Sequence, residues 1–553
     1  MVITSPASYR LQGMSEHSAC SSFEYLSLDD PGLVQEDADL DAKSSSWSAE
    51  AVVASETGSQ APTNDYSVTL EFAKIPHGRR GGLKLKSLLP LVLTLQESLV
   101  TIDDEHHLLG EVTASQLLKF LDFAACVDSV TIAESDMGER RVANATYMRI
   151  ATLLEPQISP LFRSLTSLTT DYTESVRFYL PLFVTPTLRS FTFHGSGIGG
   201  LASLTSFISV IGEHGHLLSS LHLSNVVLKA SLVEAISSCT HLSSVRLTNL
   251  SDEFESAEKV LALPHLKYLH VDCQDGINFR IAPAPNSQTS INTLKLSASS
   301  STLLSILDHL VSNKDLKKLV ISVISKEPFS FWYIFQHAIL PIVESSKRTL
   351  KTLKVRGAPQ YGDQNDCPPS DTIAKLARCS KIHTLQFTEL FIRNAPQQFC
   401  KFPSFSTLTD LRLPISNRSN PLTNLELATL AVSCPELGYL QAILELPSFR
   451  RWSALNQSLS HAKPITFPQL LILSTGSNKL TESKSSLLPP LQVQDTCAMV
   501  HCFLMVFPAL LGIKTHEEFF KEVWDGIKAM VELVRGQGEV NKRRSVSWSN
   551  EHL

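Results

Sequence analysis

Apolar residues recur along this chain in one short frame, apolar-x-x-apolar-x-apolar, whose clearest copy is Leu218-Ser-Ser-Leu221-His-Leu223. Further copies begin at Leu188, Leu242, Leu266, Ile291, Leu316, Leu350, Ile382 and Leu408, and weaker ones at Val127, Leu165, Leu437, Leu470 and Leu510. From Leu188 to Leu316 successive starts lie 30, 24, 24, 25 and 25 residues apart, and later steps lengthen to 34, 32, 26, 29, 33 and 40. Within each copy the last two apolar positions alternate with polar ones, which predicts a short strand with one buried face. Between the copies, Ser231–Ser238, Ser301–Val311 and Asp371–Arg378 each open on Ser or Asp ahead of an apolar stripe, which predicts helices. Pro186, Pro264, Pro435, Pro468 and Pro508 stand two residues before a frame, where proline ends a helix and favours an extended approach to the next strand.

A repeat of roughly 20–29 residues built on this frame is that of leucine-rich repeats. No unit buries its own apolar face, but stacked neighbours do. The predicted fold class is therefore α/β: a leucine-rich-repeat solenoid with parallel strands on the inner face and helices on the outer face. Residues 127–515 form this irregular solenoid. Residues 66–126 are read as a helical N-terminal cap, clearest over Ser115–Cys126, and 516–535 as a C-terminal capping helix. In the latter Phe520, Val523, Trp524, Ile527, Val531 and Val534 make one stripe, and Glu517 and Glu518 favour the first turn.

Residues 1–65 are Ser-rich and carry 11 Asp and Glu against two Lys and Arg, a composition that predicts disorder. Residues 536–553, with Lys542-Arg-Arg-Ser-Val-Ser547, read as a flexible tail. A net charge of −6 argues against nucleic acid as the partner of the whole chain. The start Met1-Val-Ile-Thr-Ser-Pro lacks a secretory pattern, and the most apolar run, Cys497–Ile513, is shorter than the roughly 20 residues that span a membrane. Ten cysteines without a secretory signal suggest free thiols and a cytoplasmic or nuclear location. Cys239, Cys379 and Cys434 each precede a frame by three residues, where a small buried thiol suits the turn from helix to strand; no Cys-x-x-Cys pair points to metal.

Little in the chain suggests catalysis. Gly195-Ser-Gly197-Ile-Gly-Gly200 fits a dinucleotide fingerprint, but the next strand ends Leu223-Ser-Asn-Val without the carboxylate that would hold a ribose, so it reads as a loop within one repeat. His106-His107 beside Asp103, Asp104 and Glu105 reads as a solvated loop, since sequence neighbours do not converge on one ion. The expectation is no enzyme, no cofactor and no metal.

Binding chemistry is more legible. The residue between the last two apolar positions of the fourteen copies is Thr131, Thr169, Thr192, His222, Arg246, His270, Lys295, Val320, Lys354, Gln386, Arg412, Gln441, Ser474 or Lys514. Five of these are Lys or Arg, two are His and none is acidic, in a chain that is acidic as a whole. The candidate partner-binding residues are His222, Arg246, His270, Lys295, Lys354 and Arg412, with Arg356 beside them, facing an acidic or phosphorylated protein segment onto which arginine can fork. The alternative is a polar, solvated sheet surface. If the acidic residues 16–65 compete for the stripe, deleting residues 1–65 raises affinity for acidic peptides at low salt.

Leu118-Lys-Phe-Leu-Asp-Phe-Ala-Ala-Cys-Val-Asp-Ser-Val-Thr-Ile132, Leu161-Phe-Arg-Ser-Leu-Thr-Ser-Leu168, Leu180-Pro-Leu-Phe-Val-Thr-Pro-Thr-Leu-Arg-Ser-Phe191, Phe467-Pro-Gln-Leu470 and Phe507-Pro-Ala-Leu510, in that order, resemble the fungal F-box proteins with irregular leucine-rich repeats. The resemblance covers roughly residues 110–535 and implies a substrate-recognition component of a cullin-type ubiquitin ligase. In that family an F-box ahead of the repeats docks on the ligase adaptor. Here only Leu89-Pro90 followed by Leu91-Val-Leu93 resembles its opening, so residues 66–126 read either as a cap or as a degenerate F-box. A leucine-rich-repeat binding protein without ligase association is the other reading.

Overall fold

A computed structural model of the chain describes residues between 82 and 536. Outside the described residues lie 1–81, 537–553 and, internally, chiefly 133–140, 155–159, 281–289, 325–330, 358–369, 389–404, 415–421, 445–471, 476–499, 501–511 and 516–524. The segments read as disordered (1–65) and as a tail (536–553) therefore fall outside them apart from residue 536, as do Phe520, Val523 and Trp524. The chain divides into compact units 1–77 and 78–553, and every described residue belongs to the second.

Strands are numbered in chain order. β2 (Leu99–Ile102), β3 (Glu105–Leu108) and β5 (Arg141–Val142) make a small sheet, and β10 (Phe254–Glu255) pairs with β12 (Phe279–Arg280). The others form one fifteen-stranded sheet in chain order. They are β1 (Leu83–Leu85), β4 (Val127–Ile132), β6 (Ser167–Asp171), β7 (Ser190–Gly197), β8 (Ser220–Val226), β9 (Ser244–Leu250), β11 (Tyr268–Cys273), β13 (Thr293–Ala298), β14 (Lys318–Val323), β15 (Thr352–Arg356), β16 (Thr384–Thr388), β17 (Asp410–Arg412), β18 (Tyr439–Gln441), β19 (Ile472–Thr475) and β20 (Gly512–Thr515). Every neighbouring pair is parallel. Such pairs need crossovers, and helices such as Leu201–Glu213, Ala230–Ser238 and Ser300–His309 supply them. The chain is a leucine-rich-repeat solenoid.

Each of the fourteen frames ends in a strand of this sheet, and where burial is described the apolar positions of the frame face inward. On β11, Leu269, Val271 and Cys273 are buried while Tyr268, His270 and Asp272 are half-buried, and β13 and β14 repeat the scheme. The apolar side chains join one continuous core from Leu85 to Val531. Each fully buried leucine contributes roughly 1.5–3 kcal/mol relative to exposure. Cys239, Cys379 and Cys434 are buried where they were placed, with Cys239 Sγ donating to Ile208 O at 3.7 Å and Cys379 Sγ to Val343 O at 3.9 Å. Each weak thiol bond therefore joins a repeat to the one before it.

The structure departs from the sequence reading in several places. β1 lies ahead of residue 127 and pairs with β4, so the sheet begins inside the segment expected to be a helical cap. That segment also contains the β2–β3 hairpin. Asp103 and Asp104 hold positive φ values of 50° and 61° in its two-residue turn, a geometry that short polar side chains tolerate. The helix Ala114–Ala125 is present, fixed by a capping box in which Gln116 N–H donates to Thr113 Oγ1 and Thr113 N–H donates to Gln116 Oε1. Ala230–Ser238 has no side-chain cap at Lys229, and burial of Leu232, Val233 and Ile236 holds its start instead of Ser231. In the return over 331–345 a π-helical turn, Phe335–Ile339, precedes Pro341, which has no N–H to give the carbonyl of His337. At the C-terminus a helix over 525–536 buries Ile527 and Val531 but leaves Val534 exposed, so the apolar stripe is shorter than expected.

Candidate functional site

The parallel register converts the fourteen mid-frame residues into one row across the sheet. Thr192 pairs with His222, His222 with Arg246, Arg246 with His270 and His270 with Lys295. The row continues through Val320, Lys354, Gln386, Arg412, Gln441, Ser474 and Lys514. Neighbouring strands lie about 4.8 Å apart, so residues scattered from Thr131 to Lys514 become a continuous line. Arg356 lies in the next row on the same face, between Ser322 and Thr388.

Placement in a row does not make every member an available cation. His222 is half-buried, its Nε2 lies 3.2 Å from Thr248 Oγ1, and its ring meets that of His194 edge-on at 5.5 Å. Burial, then the Arg246 guanidinium and the His194 and His270 rings, lower its pKa to about 4, so it is neutral near pH 7. His270 is also pushed down, by burial and then by Arg246 and Lys295, against a smaller opposite pull from Asp272. The two histidines therefore interrupt the positive stripe.

Arg412 departs further from its expected role. Its Nε and second guanidinium nitrogen donate to the two carboxylate oxygens of Asp410 at 3.0 and 3.1 Å, and the guanidinium lies 4.4 Å from the centre of the Tyr439 ring. Asp410 and Arg412 are two residues apart on one strand and so share a face. The fork expected to receive a phosphate is occupied by this bidentate pair. The row without acidic members is thus flanked on the same face by Asp410 and, on β11, by Asp272.

The cationic part of the row is the stretch from Arg246 to Lys354, with Arg356 in the next row. Arg246 and Arg356 are exposed, and Lys295, Lys318 and Lys354 are half-buried. Lys295 Nζ lies 5.5 Å from the centre of the Tyr268 ring. Lys354 is held below the ordinary lysine range, first by burial and then by repulsion from Arg412 and Lys318, an electrostatic strain that a bound anion relieves.

The other candidate chemistry resolves into packing. A Cβ at Gly195 would stand 2.6 Å from Asn225 O, and Gly200 adopts φ +71° with the Tyr172 ring 2.5 Å from where its Cβ would be. These two glycines of the fingerprint are therefore required by close approach between repeats and by a left-handed helix start. His106 is buried on the hairpin with Nδ1 3.2 Å from Thr101 Oγ1, and so is no part of a solvated loop; His107 Nε2 lies 3.9 Å from Glu105 Oε2. Among the described residues no three His, Cys, Asp or Glu side chains converge as a metal site, and no helix is long and apolar enough to cross a membrane. A small void beneath β9 and β11 is lined by Leu247, Ala257, Val260, Leu261, Leu269, Val271 and Ile306, all apolar.

No family model matches the chain, and no curated protein matches it. Among solved structures it is similar to the Rad7 and Elc1 complex in yeast, at 15% identity and a TM-score of 0.33, over 70% of this chain and 88% of that one. It is also similar to an internalin, InlF, from Listeria monocytogenes, at 14% identity and a TM-score of 0.32, over 61% of this chain and 86% of that one. The architecture rests on the strand register of the chain itself, not on these likenesses.

Proposed function

We propose that the chain is a non-enzymatic protein-binding scaffold that holds an acidic or phosphorylated protein segment against the strand-lined face. The observation that carries this reading is the register that brings Arg246, Lys295 and Lys354 into one row, with Arg356 beside it, on the side of the sheet away from the core. Fixed cations on a pre-formed surface attract an anionic segment without the cost of organising a loop. His222 and Arg412 are the neutral and self-paired ends of this row, and His270 is a neutral gap within it. The test is binding of a fluorescent acidic peptide to the full chain and to K295E/K354E, with ionic strength varied. The reading expects the reversal to weaken binding about tenfold or more at low salt. Equal affinities for the two proteins refute it.

The finer proposal is that this scaffold is the substrate-recognition component of a cullin-type ubiquitin ligase. Its support is the sequence resemblance together with the exposed apolar side chains Val100, Ile102, Leu109 and Leu118 in the segment ahead of β4. Co-purification of the full chain with the ligase adaptor tests it. Capture that survives in wild type and is lost in I102D/L118D supports the role, and absence of capture by the wild-type chain removes it and leaves a binding scaffold.

A further inference from the structure

A second row of cations runs beside the first, at the residue where each repeat turns into its strand. There the backbone forms a ladder. Lys267 N–H donates to Ser243 O at 2.9 Å, and Asn292 to Lys267, Lys317 to Asn292, Lys351 to Lys317 and His383 to Lys351 follow, each at 2.8 Å. These residues are consecutive rungs spaced about 4.8 Å apart, and Lys267, Lys317 and Lys351 are all exposed. Each rung precedes a stripe residue by three positions, as Lys317 precedes Val320 and Lys351 precedes Lys354. Along the strand direction the backbones of the two rows lie about 10 Å apart, the ladder where the chain enters each strand and the stripe on the exposed face of the sheet. Lys318 stands between them. Among the described residues no carboxylate lies within salt-bridge distance of Lys267, Lys295, Lys317, Lys318, Lys351 or Lys354; the ion pairs there involve other cations.

The spacing and chemistry of this surface select among anions. Lys295 and Lys354 are two strands apart, about 10 Å, which is three residues of extended chain. Val320 lies between them in the row, an apolar seat flanked by cations. The Tyr268 ring already carries Lys295 over it, and the Tyr439 ring carries Arg412. From β13 to β16 no Phe, Tyr or Trp stands on the exposed face to stack a base, so the platform that single-stranded nucleic acid uses is missing from this stretch. The strip itself is built of lysines, which act as point charges; the arginine fork at Arg412 is closed by Asp410, and Arg246 and Arg356 stand at the margins of the strip.

We infer that the strip bearing these six lysines holds an Asp- and Glu-rich polypeptide segment that crosses the strands, with acidic residues about three positions apart, an apolar side chain over Val320, and carboxylates shared between the two rows. This deepens the reading proposed above and rests on it. The experiment uses the full chain and a labelled peptide in which Glu recurs at every third position with Val between, followed by fluorescence anisotropy. The variants are K317E/K351E on the ladder, K295E/K354E on the stripe, and K119E on the distant helix Ala114–Ala125 as control. Both double reversals are expected to weaken binding about tenfold, since each replaces two attractions by repulsions, and K119E to stay within about twofold. A single-stranded RNA of equal charge is expected not to displace the peptide. If the ladder reversal leaves affinity within about twofold while the stripe reversal abolishes binding, the second row is refuted and the scaffold reading stands. If neither reversal matters, both readings fall. Displacement by the RNA, or a phosphoserine peptide of equal charge binding more than about tenfold tighter, overturns the assignment to carboxylates.

Discussion

Asn313 is the clearest place to test how the repeats hold one another. Its side chain is 2% exposed in the turn before β14. Nδ2 donates to Ile291 O of the preceding repeat at 2.8 Å, and Oδ1 accepts from Asp315 N–H at 3.1 Å in its own turn. The backbone carbonyl of Asn313 accepts from Ser345 Oγ of the following repeat at 3.2 Å. Replacement by alanine removes both side-chain bonds and leaves the carbonyl of buried Ile291 without a partner, while the N–H of exposed Asp315 turns to solvent. Each lost bond costs about 1 kcal/mol net, and the orphaned carbonyl adds to that, so Asn313→Ala is expected to destabilise by about 2–4 kcal/mol. Because repeat arrays couple nearest neighbours, the loss should be local. The assay is native-state amide hydrogen exchange together with urea unfolding. Protection should fall most in β13 and β14 and least in β7 and β8, and Asn313→Asp, which keeps the acceptor but not the donor, should fail to restore it. Unchanged protection in β13 and β14, or an equal fall across all strands, would refute the argument that this side chain joins adjacent repeats.

Three further outcomes follow from particular contacts. Gly200→Ala should cost at least about 1–2 kcal/mol because φ is +71° and the Tyr172 ring blocks the new Cβ; thermal unfolding at wild-type temperature would contradict this. His222 has a folded pKa of about 4, below its ordinary value of 6.5, so the unfolded chain binds the extra proton and stability falls as pH drops from about 6.5 to 4. His194, Arg246 and His270 face it, and His222→Gln should flatten the stability profile in that window, which urea titrations at several pH values would read. Burial pushes the Cys239 and Cys379 thiols up to about 11, so alkylation at pH 8 should be slow in the native protein and fast after denaturation; rapid native labelling of either would count against their placement.

The mid-frame row is legible in the sequence as composition at one repeat position, and the position three residues earlier carries a second bias toward lysine. The first variable residue of each frame is Lys at 267, 317 and 351, which the ladder of backbone bonds brings together on one edge. The Asp410–Arg412 pair was also within reach, since residues two apart on a strand share a face. The neutrality of His222 and His270 was not. It arises from burial and from cations contributed by repeats some 24 and 25 residues away, so it depends on register as well as on residue type. β1 is not legible in the sequence because Leu83-Lys-Leu85 is only half a frame, completed by its pairing with β4.

The amino-acid sequence by itself determined the solenoid, the position of fourteen of its fifteen strands, and the fact that one face would be richer in Lys, Arg and His than in acids. It could do so because a strand turns alternate residues to opposite sides and because a repeat places equivalent residues at equivalent depths. The tertiary structure alone decided which of those cations are exposed, which are neutral, and which of them pair with a neighbouring carboxylate. Charge state and availability depend on burial and on neighbours within a few ångströms, and in a stacked array those neighbours come from other turns of the chain.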